Sequence, residues 1–279
     1  MTQTTFNAMG TTVELHGEAA TLGTARTAFD VFERRFSRFM PDSELSALNA
    51  TCESTVRLSP TMAEIMDVAQ DLRDRTDGLV DVGLGRAVID WGYARTFEEV
   101  GELDHPPPPL ARPTWKTDSG VLHRAEGTTF DLGGIAKGWT CDRLVESGLA
   151  TVASAGGDVR SADPTLVVDV VDADGDLAAE VFVGVGALAT SSIMKRRWRV
   201  AGRAAHHIVD PRTMAPVVTP VASASVVADT AAEAEAGAKA VLIRGVDGLA
   251  WADAQPWISQ AVAIWHDGNV YGTTLARAS

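Results

Sequence analysis

The segment Asp131-Leu-Gly-Gly-Ile-Ala-Lys-Gly138 concentrates groups that could handle an anion. Consecutive glycines leading into a helix leave backbone N–H groups at its positive end, and Lys137 adds a cation, a combination suited to a phosphate. The spacing matches neither a Walker A loop nor the Rossmann fingerprint. An ordinary tight turn with a solvated lysine is the competing reading. A second segment, His206-His-Ile-Val-Asp-Pro-Arg-Thr213, places two histidines, Asp210 and Arg212 just after a strand, as a general base and its orienting carboxylate beside a phosphate would require. Neighbours on a strand face opposite sides, so at most one of the two imidazoles enters a site, and a plain hairpin with one exposed histidine explains the pattern equally well. Upstream, Lys195-Arg-Arg-Trp-Arg199 is either a solvated edge strand or a cluster that steers an anion. Glu233 and Glu235 form the third candidate. Glu233 fits a capping box with Thr230, and Glu235 with Lys239 makes an i,i+4 pair, so plain helix support competes evenly with a metal-binding role for both.

These residues need elements to hold them. A strand is expected over Thr11–His16, and Leu22, Ala25, Phe29, Phe32 and Phe36 recur at helical spacing. Ser43 starts a short helix ending near Asn49. Ser59 and Pro60 open another, which stops near Thr76-Asp77-Gly78. The four prolines Pro106 to Pro109, within 104–113, make an extended connection that serves as an internal boundary. A strand ending at Asp131 leads through the glycine turn into a helix to about Ser147. Strands follow over 165–171, 180–185 and 198–208, then an alanine-rich helix to Ile243 and a hairpin over 261–273 turning at Asp267-Gly268-Asn269.

The 279 residues carry 24 Lys+Arg against 37 Asp+Glu, a formal net charge of -13, which argues against nucleic-acid or anionic-membrane binding. With 46% hydrophobic residues the chain can bury a large core without staples. Its two cysteines, Cys52 and Cys141, form no metal or disulfide pattern and suit a reducing compartment. No stretch is apolar enough to span a bilayer, so a soluble, cytoplasmic protein without membrane insertion is expected.

Seven fragments in order resemble the ApbE family of FAD:protein FMN transferases: Met9-Gly-Thr11; Phe36-Ser37 through Ser43-Glu-Leu-Ser46 and Asn49; Asp81-Val-Gly with Trp91-Gly92; Asp131 to Gly138; Gly156-Gly-Asp158; Ala189-Thr-Ser191; and His207 to Thr213. The resemblance runs from Met9 to about Gly245. It implies an α+β fold of ApbE, T-fold-like architecture: a single domain over 1–279 with two closely joined lobes of mostly antiparallel sheet, flanking helices, and the nucleotide between them. It further implies an enzyme that binds FAD with Mg2+, splits the pyrophosphate, and attaches FMN through a phosphoester to a threonine of a partner flavoprotein, releasing AMP. By the same resemblance Met9, Phe39, Asp90, Trp91, Gly92, Asp131, Lys137, His207 and Arg212 bind the flavin nucleotide. His207 takes the hydroxyl proton, Lys137 offsets phosphate charge, and Asp210 helps orient the site. Gly134, through its carbonyl, and Glu235 are the implied metal ligands.

Two positions depart from the family pattern. Where relatives place Asp and, four residues on, Thr as metal ligands, this chain has Glu235 and Lys239. A protonated lysine cannot ligate Mg2+, and its ammonium is expected to replace the metal in part, leaving Mg2+ weakly held or absent. Met214 stands where a glycine usually follows the Asp-Pro-Arg-Thr run, with consequences for that turn. Two other functions remain open from the sequence: a metal-dependent FAD pyrophosphatase giving FMN and AMP, and a non-catalytic FAD-binding or flavin carrier protein.

Overall fold

The computed structural model describes residues 2–273, which form two compact units, each described by itself. The first contains residues through Glu33, then Ile135–Lys195, and the chain from Thr219 onward. Its frame is an eight-stranded sheet in the order Thr2–Ala8, Thr11–Gly17, Val152–Ala155, Asp158–Ser161, Gly186–Ser192, Val221–Ala228, Ile258–Trp265 and Val270–Gly272. Every neighbouring pair is antiparallel.

Side-chain alternation sorts this sheet into two faces. Ala153, Ala155, Ala187, Ala189 and Ala228 point to one side, where Leu22, Ala25 and Phe29 of helix Ala19–Phe36, Cys141 and Leu144 of helix Ala136–Glu146, and Ala231 and Ala234 of helix Ala231–Arg244 pack on them. Small residues on both partners let these helices lie close to the sheet. Val152, Val159, Leu188, Val227, Val262 and Ile264 face the other way and are covered by Val170 and Val181 of the hairpin Val167–Val171/Leu177–Phe182. Burial on both faces explains why all eight residues of Val221–Ala228 are buried.

The second unit holds Arg34–Gly134 and Arg196–Val218. Helix Pro60–Arg75 is capped by Ser59, whose hydroxyl accepts the Met62 N–H, and it buries Met62, Ile65, Met66, Ala69 and Leu72. A three-stranded sheet runs in the order Thr55–Arg57, Val121–Arg124, Trp115–Asp118. Short helices Glu44–Ala50 and Gly85–Asp90, the hairpin Arg197–Val200/Arg203–His206, and the pair Val209–Asp210/Ala215–Pro216 complete it. The proline run lies inside this unit, in a stretch without regular structure. The α+β class, with mostly antiparallel strands, is the one expected.

Two expected strands need correction. None ends at Asp131. Thr129 makes only an isolated bridge to Leu84, and the Asn49 side-chain amide stands in for a neighbouring strand, donating to the Phe130 carbonyl at 2.8 Å and accepting its N–H at 2.8 Å. Once that side chain satisfies the backbone, no ladder is required. The strand expected over 180–185 occupies Leu177–Phe182 instead, because Val183 and Gly184 turn away to donate their N–H groups to the Leu166 carbonyl, each at 3.0 Å. Among the described residues, no helix is long and apolar enough to cross a membrane.

Candidate functional site

In the second unit, aromatic rings gather around Tyr93. Its ring stacks on Trp198 with centroids 5.9 Å apart, meets Phe39 edge-on at 5.8 Å, and meets the His207 imidazole edge-on at 6.4 Å. The Arg38 guanidinium lies over Phe39 at 4.1 Å and over Tyr93 at 4.8 Å, a cation–π arrangement. Its Nε donates to Asp131 Oδ2 at 2.8 Å, while its buried Nη2 makes no hydrogen bond. An unspent guanidinium donor beside partly exposed rings suits a flat heteroaromatic ligand that also carries an acceptor.

Behind the rings the backbone is pinned. The Trp91 indole N–H donates to the Met214 carbonyl at 2.7 Å, and the Trp198 indole N–H donates to the Trp91 carbonyl at 2.7 Å. Met214 is held at φ 56°, a left-handed conformation that glycine adopts without strain, so this departure from the family pattern changes the residue but not the turn's requirement. Gly92 faces the Trp198 Nε1, which would lie 2.9 Å from an added Cβ. Asp90, at the end of helix Gly85–Asp90, is occupied by the Arg86 guanidinium at 2.7 Å. The Asp210 carboxylate is spent on Arg212, accepting from Nε at 2.9 Å, from Nη2 at 2.7 Å and from the backbone N–H at 2.8 Å. His206, at the end of its strand, is buried and bonds the Val217 carbonyl through Nε2, while His207 turns to Tyr93. The two imidazoles therefore turn to different partners, with His207 just beyond the end of strand Arg203–His206.

In the first unit, four charged side chains meet. Lys137 Nζ lies 2.9 Å from Asp158 Oδ2 and 3.0 Å from Glu235 Oε1, and Lys239 Nζ reaches the same Glu235 oxygen at 2.8 Å. Asp158 and Glu235 are only 2% and 4% exposed. Asp158 is delivered by the two-residue turn Gly156-Gly157, whose φ values of 62° and 104° only glycine accepts readily. Burial alone would lower the Lys137 pKa, but Asp158 and Glu235 hold it well above its ordinary value. Burial would raise Glu235, yet the two lysines bring it down to about 2. Burial and the neighbouring Glu235 charge push Asp158 up to about 6. Lys137 is thus not the mobile cation its sequence context suggested, and Glu235 lies within a core rather than on a solvated helix face.

The donor chemistry here does not fit a hard divalent cation. Such an ion needs several oxygen ligands, but the Glu235 oxygen that meets both lysines is already covered, and two ammonium groups balance the two carboxylates. Among the described residues, no group of three or more His, Cys, Asp or Glu side chains is arranged to hold a metal. Gly134 sits in the turn ahead of helix Ala136–Glu146. Met9, at φ 51° in the tight turn between the first two strands, donates its N–H to Glu33 Oε1 at 2.7 Å.

Of the residues singled out from sequence, Phe39 and His207 come together around Tyr93, with Asp131 joined through Arg38 and Trp91 through Trp198; Lys137 meets Glu235 in the other unit. Arg38, Tyr93, Trp198 and Asp158 were not singled out. The Gly-Gly-Asp fragment offered a signal for Asp158, the fragment from Phe36 through Asn49 spans Arg38, and the basic run Lys195–Arg199 contains Trp198; Tyr93 lies outside them all.

Comparison with known proteins agrees with this anatomy. The model of the ApbE family matches residues 9–262. A FAD:protein FMN transferase of Rhodobacter capsulatus is 28% identical over 98% of this chain and 57% of its own length. One from Salmonella typhimurium is 26% identical over 79% of this chain and 70% of its own. The chain thus spans little more than half of the Rhodobacter relative. Among solved structures, the ApbE protein of Thermotoga maritima superposes with a TM-score of 0.85 at 23% identity, covering 98% of this chain and 96% of the other. The apo flavinyl transferase ApbE of Pseudomonas stutzeri gives 0.80 at 18% identity, covering 98% and 95%. With its motifs in family order, nearly all its length matched by the family model and its fold shared with solved members, the chain belongs to the ApbE family.

Proposed function

We propose that this protein transfers the FMN moiety of FAD to a threonine hydroxyl of an acceptor flavoprotein and releases AMP. The observation that carries this reading is the placement of His207 against Tyr93, in the ring group formed with Phe39 and Trp198 beside the unspent Arg38 Nη2. Rings of this kind bind a flavin by stacking, the guanidinium meets an oxygen of the nucleotide, and the imidazole is the group able to accept a proton near neutral pH. In the proposed step the acceptor oxygen attacks the FMN phosphorus as His207 takes its proton. An O–P bond forms while the bond from that phosphorus to the bridging oxygen breaks, and AMP leaves with the electron pair. Asp210 acts by holding Arg212, whose exposed end offers positive charge to an anion. Lys137, fixed by two carboxylates, is a positioning residue.

The test is incubation of the full chain with FAD and a threonine-bearing peptide, read by mass spectrometry. A peptide mass gain equal to an FMN phosphoester is expected. His207→Ala should abolish that gain while leaving FAD fluorescence quenching largely intact. Steady release of AMP and free FMN without peptide modification would make the protein a pyrophosphatase instead, and tight FAD binding with no AMP would make it a carrier.

A further inference from the structure

We propose that the paired ammonium groups of Lys137 and Lys239 replace a divalent cation in this chain, so that it engages FAD without Mg2+. The proposal rests on FAD being the ligand. Both ammonium groups converge on one carboxylate oxygen, Glu235 Oε1, at 3.0 and 2.8 Å, and Lys137 also spans 2.9 Å to Asp158 Oδ2. Together they bring two positive charges to two carboxylates, the charge one divalent ion would supply, and leave no negative surplus to attract such an ion.

The surroundings argue against a decorative surface pair. Helix Ala231–Arg244 buries Ala234, Ala236, Ala238 and Ala240 as well as Glu235, so Lys239 projects from a helix packed on nearly all sides, with its side chain only 17% exposed. A charge taken out of water at such a position is costly unless partners compensate it, and here they do. A metal ion entering the cluster would have to displace an ammonium from its oxygen or sit beside two like charges. Glu235 Oε2 and Asp158 Oδ2 are buried without a hydrogen bond, the latter ion-paired with Lys137 at 2.9 Å, but two carboxylate oxygens are too few ligands for Mg2+ or Mn2+, which take about six.

Mn2+ serves as the probe. Added to the full chain and followed by electron paramagnetic resonance, it should keep the amplitude of the free ion. FAD binding, followed by flavin fluorescence, should be the same in EDTA as in Mg2+. Lys239→Thr leaves two carboxylates with one ammonium. This variant should remove Mn2+ from the free pool, and its FAD affinity should weaken by ~10-fold or more in EDTA and recover in Mg2+. Stoichiometric Mn2+ uptake by the wild-type chain, or an FAD affinity that depends on Mg2+, would overturn the proposal. A Lys239→Thr variant that folds, as checked by circular dichroism, and takes up no Mn2+ would also count against it. Should that variant fail to fold, the wild-type Mn2+ titration decides alone. Loss of FAD binding under every condition would refute the flavin reading, a result separable from the Mn2+ measurement.

Discussion

Replacing Gly138 with alanine tests the seam between helices Ala136–Glu146 and Ala231–Arg244. A Cβ at position 138 would lie 2.8 Å from both the carbonyl carbon and the oxygen of Ala231, and 3.0 Å from the Ala232 nitrogen. Ordinary carbon contacts lie near ~3.5–4 Å, so the helices must part by roughly 0.7–1 Å. One turn along, the same helix start is held by Asp142, whose Oδ1 accepts the Ala231 N–H at 2.7 Å and whose Oδ2 accepts the Ala232 N–H at 3.0 Å. Parting the helices weakens both bonds, each worth ~0.5–1.5 kcal/mol, rising to ~1.5–3 kcal/mol where the carboxyl is ionised. Alanine returns only ~1 kcal/mol of helix propensity. Overpacking of this kind costs ~1–3 kcal/mol net, a fall in Tm of roughly 2–5 °C for a chain of this size. Thermal unfolding followed by circular dichroism measures it, and a Tm at or above the wild-type value would refute the reasoning. A cycle combining Gly138→Ala with Asp142→Ala should be less than additive, since both act on the first turn of helix Ala231–Arg244.

Asp142 also sets a pH dependence. Burial, opposed by its two backbone hydrogen bonds, pushes its pKa up from 3.8 to about 7. The folded state therefore holds that proton more tightly, so the contribution is complete below pH 3.8 and is lost as pH rises through about 7. The stability of the wild type relative to Asp142→Asn should fall across that window by on the order of 4 kcal/mol, at ~1.4 kcal/mol per pKa unit, as followed by urea unfolding at stepped pH; a flat difference would show that Asp142 titrates normally. Asn49→Ala strips both partners from the buried Phe130 backbone and should cost ~2–4 kcal/mol in the same assay, whereas a loss below 0.5 kcal/mol, on the order of an ordinary surface change, would mean water takes the amide's place.

Local physics made several elements legible. Ser59-Pro60 and the Thr230–Glu233 capping box form the helix starts their residues dictate, with both capping-box hydrogen bonds made, because a cap is decided within four residues. The hairpin that turns at Asp267-Gly268-Asn269 formed for the same reason. The strands Gly186–Ser192 and Val221–Ala228 escaped notice because burial on both faces erases the alternation that marks a strand. Their composition of alanine, serine and glycine adds little strand signal.

The site divides along the same line. The family was written in the order of seven short fragments, and strand geometry allowed at most one of His206 and His207 to enter a site without saying which. Where the charges go was not. Glu235 and Lys239 make the i,i+4 pair that their spacing foretold, but Lys137 arrives from 98 residues away and Asp158 from a glycine turn on the sheet, converting a helix-surface pair into a buried, neutral cluster. Sequence spacing specifies which side chains share a helix face; burial and the partner across a sheet are set only when distant segments pack, and those two quantities govern the charge state of every group in the cluster.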